Sequence, residues 1–204
     1  MNTSIDKIYD LMADRGFQEP RTGNLFFPAY IYTYPPEHEY EVRENVQLLN
    51  EKLKRPNNHL ESLVINIFDE LIDYLRNETF AGETLFDSVI EKEKEDPSEA
   101  LSWIREEINN GNFYTKFENK VRGFFDKEDN KRVYLIIYGF GSSFPYIRAS
   151  ELLKRTEKLI KEFKVIIFYP GKYDESNYRL FEILNDDNMY RANYLNSQLG
   201  EQIN

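Results

Sequence analysis

Two short apolar segments in the second half of the chain constrain its fold more than any other feature. They are Val133–Tyr138 and Val165–Phe168, and neither contains a charged residue. Strands with this pattern are typically buried on both faces of a parallel sheet. Between them, Leu152, Leu153 and Leu159 have helical spacing. Strand, helix and strand form a βαβ unit with a right-handed crossover, so a parallel α/β sheet is predicted.

Three segments extend this pattern towards the N terminus. Leu25–Tyr34 is rich in β-forming residues, but Pro28 cannot donate to a neighbouring strand, so an edge strand or a strand broken at Pro28 is predicted. An amphipathic helix is predicted over Val42–Leu53. Leu63–Phe68 is predicted to be a buried strand, and Asp69 to cap the helix that follows it.

The segment from about residue 81 to 130 differs from the rest, because two apolar stripes at helical spacing follow a charged run. These stripes predict helices inserted between strands. The fold class is therefore predicted to be α/β, with three layers, a mostly parallel sheet, flanking helices and a helical insertion. A length of 204 residues suits one such domain, covering residues 1–204.

Composition excludes several functions. A formal charge of −10 makes direct nucleic-acid binding unexpected, since that requires an excess of cations. The absence of cysteine excludes disulfides, thiol nucleophiles and cysteine-ligated metals. His38 and His59 lack ligand spacing, so no metal or cofactor is expected. The sequence has neither a signal peptide nor an apolar run near the length of about 20 residues that spans a membrane, so a cytoplasmic protein is expected.

The carboxyl ends of the predicted strands are the place to look for a ligand, because open parallel sheets bind ligands there. The predicted loops at this edge follow Tyr34 or cover Gly139–Phe144 and Tyr169–Tyr173. In the second loop, Phe144 stands where a dinucleotide motif needs its third glycine. In the third, Tyr173 follows Gly-Lys where a P-loop needs Ser or Thr. Neither a dinucleotide site nor a Walker A motif is predicted.

Two further possibilities are weaker. Ser142 and Ser143 lack the G-x-S-x-G context of a nucleophile and are predicted to cap the next helix. A degenerate, P-loop-like site for a nucleotide or phosphate, formed by Gly139–Ser143 with Lys172 and Asp69, is the alternative function.

One predicted helix carries a net positive charge, although the chain as a whole is negative. Between Arg148 and Lys164 the sequence has six cations and three acids, which predicts a locally positive helix face. Such a face is more often simply solvated than bound to an acidic partner or to DNA.

Several short motifs follow one another along the chain in a recognisable order. Phe144-Pro-Tyr-Ile-Arg148, Phe168-Tyr-Pro-Gly-Lys-Tyr173 and Tyr190-Arg191-Ala192 follow one another, and Tyr34-Pro-Pro-Glu37 with Val42–Leu53 precede them. In order and spacing, these elements resemble the BrxB family of bacteriophage-exclusion (BREX) systems.

The resemblance implies an α/β domain without an established catalytic site. It also implies membership of a multi-protein antiviral system that methylates host DNA and blocks phage replication. The implied partner is PglZ, an alkaline-phosphatase-like protein, with the methyltransferase and ATPase components as further candidates. We therefore expect a non-catalytic interaction subunit that helps to assemble the methylation and restriction complex.

The candidate residues for partner binding, or for the rim formed by the strand ends, lie in the predicted loops and in the motifs that resemble the BrxB family. They are Tyr34, Gly139, Gly141, Arg148, Lys172, Tyr173 and Arg191. Tyr and Arg are residue types that often anchor interfaces. These residues are expected either to hold the strand ends together or to contact the partner.

Overall fold

The computed structural model describes residues 4–19, 28–110, 112–126, 131–159, 163–174, 177–186 and 192–200. Its α-helices are α1 (Ser4–Ala13), α2 (Arg15–Gln18), α3 (Glu39–Leu53), α4 (Ile67–Asn77), α5 (Leu85–Glu95), α6 (Pro97–Asn110), α7 (Phe113–Phe125), α8 (Phe140–Ser143), α9 (Ala149–Thr156) and α10 (Leu195–Gln198). Its strands are β1 (Ala29–Tyr34), β2 (Leu60–Asn66), β3 (Thr79–Phe80), β4 (Glu83–Thr84), β5 (Lys131–Tyr138), β6 (Lys164–Asp174), β7 (Asn177–Leu180), β8 (Leu184–Asp186) and β9 (Asn193–Tyr194).

The central sheet is mostly parallel, as predicted. Its strand order is β2-β5-β6-β1-β9, and each neighbouring pair in that order is parallel. Beyond this sheet β6 continues and pairs antiparallel with β7, which pairs antiparallel with β8. Strands β3 and β4 form a separate small hairpin.

Alternate residues of the long parallel strands belong to two separate hydrophobic cores. In β5, Leu135 and Ile137 join a core with helices α4 to α9, whereas Tyr134 and Ile136 join a core with α1, α2, α3 and α10. Because both faces are covered, the strands can be apolar along their whole length. The predicted three-layer α/β architecture is confirmed.

Strand β1 lies inside the sheet, so the first of the two predicted alternatives, an edge strand, was wrong, and the strand instead begins directly after Pro28. Its neighbours are β6 on one side and β9 on the other. Pro28 directly precedes the strand, where its missing N–H breaks no ladder, and its carbonyl accepts a hydrogen bond of 2.9 Å from Val165 N. Residues 25–27 of the predicted strand lie outside the described residues.

The cap of α4 is Asn66 rather than Asp69. The Asn66 side chain accepts a hydrogen bond of 3.2 Å from Phe68 N, because β2 ends earlier than the apolar run suggests. Asn caps helices as well as Asp does, so the sequence alone did not distinguish them. Asp69 lies in the first turn and is exposed.

The predicted helical insertion is present as three helices, α5, α6 and α7, which lie between the β3–β4 hairpin and β5. Their buried residues join the core on one face of the sheet. Helix α6 begins at Pro97, and Asp96 Oδ1 accepts a hydrogen bond of 2.8 Å from Ser98 N. That the whole chain forms one domain stays a prediction.

The long basic helix from Arg148 to Lys164 was a wrong prediction. Helix α9 ends at Thr156, and Lys164 is the fully buried first residue of β6. Its ammonium group lies 4.3 Å from the ring centroid of Phe17 and donates a hydrogen bond of 3.2 Å to Tyr30 Oη. Aromatic faces stabilise a cation without solvent, so this lysine belongs to the core rather than to a basic surface.

None of the helices within the described ranges has both the length and the apolar character needed to cross a membrane.

Candidate functional site

The carboxyl ends of the four long parallel strands form one edge of the sheet, which we call the rim. In the register of the sheet, Tyr34 lies beside Pro170, and Asn66 lies beside Tyr138. The segments that leave the strands at the rim therefore lie close together, as the sequence predicted.

On the α3 side of the rim, Tyr34 starts a chain of polar contacts. Its hydroxyl donates a hydrogen bond of 2.5 Å to Glu39 Oε2. Arg43 donates through Nε to Glu39 Oε1 at 3.1 Å and through Nη2 to Ser142 Oγ at 2.9 Å. Burial, and then the neighbouring Glu39 carboxylate, raise the pKa of Tyr34. These contacts tie β1, α3 and α8 together, so Tyr34 holds the rim from inside.

The two glycines of the rim are required by packing within the chain. A Cβ atom on Gly139 would lie 2.1 Å from Asn66 Oδ1, and its φ of +87° is left-handed. A Cβ atom on Gly141 would lie 3.1 Å from Phe181 Cε1. Both glycines thus allow protein atoms to approach, and neither requires a phosphate to explain it.

The two serines of the rim do not cap the next helix, contrary to the prediction. They lie inside the short helix α8, and α9 begins after Arg148 without a side-chain cap. Ser143 is fully buried, and its hydroxyl lies 3.2 Å from the carbonyl oxygen of Phe140. Ser143 is therefore inaccessible as a nucleophile, while Ser142 accepts the hydrogen bond from Arg43.

These contacts lead to a prediction about nucleotides. We expect no rise in melting temperature when ATP, GTP or other nucleotides are added with magnesium, because Gly139 and Gly141 serve packing and Ser142 and Ser143 are engaged. A ligand at 100 times its Kd would add about 2.7 kcal/mol, which a thermal-shift assay detects. A saturable rise with any nucleotide would contradict this expectation and support the phosphate-binding alternative.

The segment Tyr169–Tyr173 is part of a strand, and its prediction as a loop was wrong. Strand β6 runs to Asp174, because β7 supplies backbone partners to its second half. Lys172 is half-buried and lies opposite Arg179. The ring of Tyr173 packs against those of Tyr178 and Tyr194, with centroids 4.7 and 4.6 Å away.

On the other side of the rim, a buried carboxyl group lies near Arg148. Asp186 of β8 is only 5% exposed, and it accepts hydrogen bonds from Ser150 Oγ and, at 3.3 Å, from Tyr169 Oη. Arg148 itself is exposed, and its guanidinium carbon lies 5.8 Å from the ring centroid of Phe144.

Burial has the largest influence on the pKa of Asp186. It raises the pKa of Asp186 above the usual value of a carboxyl group, while the hydrogen bonds from Ser150 and Tyr169 and the charge of Arg148 act in the opposite direction. Burial also raises the pKa of Tyr169. The adjoining cavity has a volume of about 10 Å³, which is room for about one water molecule. The arrangement therefore anchors β8 to β6 and α9.

The predicted rim residues thus fall into separate groups. Tyr34 is linked to the Gly139–Ser143 turn through Glu39 and Arg43, whereas Tyr173 packs with other tyrosines and Arg148 covers Phe144. Arg191 lies outside the described residues.

Three residues that form these contacts were not predicted from the sequence. Glu39 and Arg43 are an acid and a base one helical turn apart after Pro-Pro, a pattern that would have suggested the pair. Nothing in the sequence near Asp186 indicates its burial, because its neighbours in space come from β6 and α9.

Comparison with known proteins adds the last observation. The family model described as "BREX protein BrxB" matches residues 63–195, which run from β2 to the first residue of α10. A protein of that name from Bacillus cereus (strain H3081.97) is 24% identical over 192 residues, or 94% of this chain and 95% of that protein. Another, from Escherichia coli O9:H4 (strain HS), is 25% identical over 182 residues, or 88% and 82% respectively. No solved structure matches the chain.

Proposed function

This chain belongs to the BrxB family and is a component of a BREX anti-phage defence system, and on that premise we propose that it is a non-catalytic interaction subunit. Its proposed partner is PglZ, which the resemblance to this family implies. The proposed task is to help assemble the methylation and restriction complex of the system. Family membership across most of the chain is the observation that carries this proposal.

The contacts of the rim support a role without catalysis. Tyr34, Ser142 and Ser143 are held by hydrogen bonds within the chain. In the part of the chain that the structure describes, no group of three or more His, Asp or Glu residues is placed to hold a metal ion. The polar groups of the rim thus serve to position strands and helices.

Asp186 is the residue that most resembles a catalytic group, since a buried carboxyl group with a raised pKa often marks an active site. Two features favour a structural role instead. Both of its oxygens accept hydrogen bonds from hydroxyl groups, and the cavity beside it has room for only about one water molecule.

The proposal is tested by purifying the protein together with PglZ at moderate salt. We expect a stable stoichiometric complex and weakening of that complex by about tenfold or more in Arg148→Ala, because exposed arginines often anchor interfaces. Phage restriction should be lost in the same variant. The measurements are the Kd of the complex and the plaque count on cells that carry the full system.

Arg76→Ala is the matched control. Arg76 is also exposed and also lies over an aromatic ring, that of Phe86 at 5.0 Å, but it is on α4. We expect this variant to bind PglZ and to restrict phage like the wild type. A wild-type protein that forms no complex with PglZ would refute the proposed partner, and an Arg148→Ala variant with full affinity would remove Arg148 from the interface.

A further inference from the structure

The hairpin of β7 and β8 carries an unusual concentration of exposed apolar side chains. Phe181, Ile183 and Leu184 are 37%, 73% and 37% exposed, and they lie within four consecutive residues at its tip. An apolar cluster of this kind on a protein surface commonly marks a contact with another molecule.

The backbone conformation at the tip is also energetically unfavourable for the residues that occupy it. Ile183 N donates a hydrogen bond of 3.2 Å to Leu180 O, and the two central residues of this turn, Phe181 and Glu182, have φ angles of +53° and +66°. Two central residues with positive φ characterise a type I′ turn, which favours Asn-Gly. A bulky aromatic residue is unfavourable there. The sequence thus keeps an exposed phenyl group where local folding favours a small polar residue.

The rim holds the tip in place. Phe181 N donates a hydrogen bond of 2.9 Å to Pro170 O, and its ring packs edge-on to Phe144 with centroids 6.5 Å apart. Gly141 leaves room for the same ring. A contact element that is already ordered loses little conformational entropy when it binds.

We propose that this hairpin tip inserts into an apolar cleft of a partner protein, with Arg148 facing a carboxylate at the border of that cleft. The proposal rests on the function proposed above and assigns it a surface. Arg148 lines the same cavity as Leu184, and it is exposed with its guanidinium over the ring of Phe144. An exposed cation beside an apolar tip is complementary to an apolar cleft with an acidic border.

Two cavities within the described residues offer no fit for the hairpin tip of a second copy of this chain. The apolar cavity beside Leu184 has a volume of about 10 Å³, too little for the side chain of Ile183 or Phe181. A larger cavity of about 190 Å³ lies between α4 and α7, but charged residues line it, among them Glu70 and Lys120. Neither cavity is an apolar cleft that accepts the tip.

The test compares Ile183→Ser with Phe80→Ser. Phe80 lies at the tip of the β3–β4 hairpin and is 72% exposed, against 73% for Ile183, so both changes remove an equally exposed apolar side chain. We expect Ile183→Ser to weaken the complex with PglZ by about tenfold or more and to lose phage restriction. Phe80→Ser should behave like the wild type in both assays.

A double variant, Phe181→Asn with Glu182→Gly, separates docking from folding. It gives the turn its preferred residues but removes the packing of the Phe181 ring against Phe144, so these opposing effects should leave its melting temperature near that of the wild type. Its affinity for PglZ and its phage restriction should nevertheless fall. A different outcome would overturn the proposal. If affinity and restriction are lost and the melting temperature also falls, in this variant and in Ile183→Ser alike, the tip serves folding rather than docking.

The remaining outcomes distinguish the surface from the partner. Full affinity and full restriction in Ile183→Ser would overturn the hairpin while leaving PglZ as the partner. If the wild type does not bind PglZ but Ile183→Ser alone loses restriction, the hairpin is supported and the choice of PglZ is refuted. A wild-type dimer in light scattering that Ile183→Ser dissociates would replace the partner protein by a second copy.

Discussion

Raising the pH from 10.5 to 11.5 is expected to remove about 5 kcal/mol from the free energy of unfolding, because several tyrosines are buried in their neutral form. Burial raises the pKa values of four of them well above 10. They are Tyr34, Tyr134, Tyr169 and Tyr178.

The sign follows from the two states. In the unfolded chain a tyrosine ionises near pH 10, whereas in the folded protein these four stay neutral to higher pH. Their contribution to stability is therefore fully present below pH 10 and is lost as the pH rises towards the folded pKa values. Each tyrosine removes about 1.4 kcal/mol per pH unit, so four remove a large part of a typical stability of about 5–15 kcal/mol.

Lys164 acts in the opposite direction over a lower range. Burial lowers its pKa to about 8, so the folded protein gains stability between pH 8 and 10.5, the ordinary value of a lysine. Above pH 10.5 this gain is complete, and the tyrosines dominate. The measurement is urea unfolding at closely spaced pH values between 7 and 11.5.

Tyr178→Phe and Tyr40→Phe provide matched controls. The hydroxyl of Tyr178 is buried and has no hydrogen-bond partner among the described residues, so its removal should stabilise the protein by about 1 kcal/mol at pH 7. The advantage should grow by about 1.4 kcal/mol per pH unit above 10. Tyr40 is 81% exposed, so removal of its hydroxyl should leave the stability at pH 7 unchanged. Stability that stays flat to pH 11.5 would mean that the four tyrosines are accessible to water.

What the sequence predicted well was local. The strands around Val133–Tyr138 and Val165–Phe168 were recognisable because burial on both faces makes each segment apolar throughout, whatever its neighbours. The helical insertion was recognisable for a similar reason, since the spacing of apolar residues within one helix shows which face is buried.

What the sequence did not show depends on distant neighbours. From the sequence, Lys164 was predicted to be a surface residue. In the structure its ammonium group lies against the rings of Phe17 and Tyr30, which are distant in the chain. Asp186 is buried by contacts with Ser150 and Tyr169. Nor did the sequence indicate that Arg148 lies beside the exposed tip of the β7–β8 hairpin.

The clearest such case is the second half of β6. Pro170 and Gly171 are residues that usually end a strand, which is why a loop was predicted there. Strand β7 overcomes that tendency, because it pairs with β6 from Gly171 to Asp174. The backbone of Arg179 lies so close to Gly171 that a Cβ there would be 2.0 Å from the Arg179 carbonyl oxygen. A glycine is required at this place because of that close approach.

Gly171→Ala is therefore expected to destabilise the protein by about 3 kcal/mol. The added Cβ would lie 2.0 Å from the carbonyl oxygen of Arg179 and 3.0 Å from its carbonyl carbon, and both atoms belong to the backbone. No side-chain rotation relieves such a contact, so the pairing between β6 and β7 must shift. Since β7 carries the exposed tip, phage restriction should fall with stability.

Gly123→Ala is the matched control for this change. Gly123 lies in α7, and a Cβ there would have no atom within 4 Å. Alanine favours a helix over glycine, so this variant should gain about 0.5–1 kcal/mol and keep full restriction. Urea unfolding at pH 7 measures both variants. Equal stability of Gly171→Ala and the wild type would contradict the close pairing of β6 with β7, on which the position of the exposed tip depends.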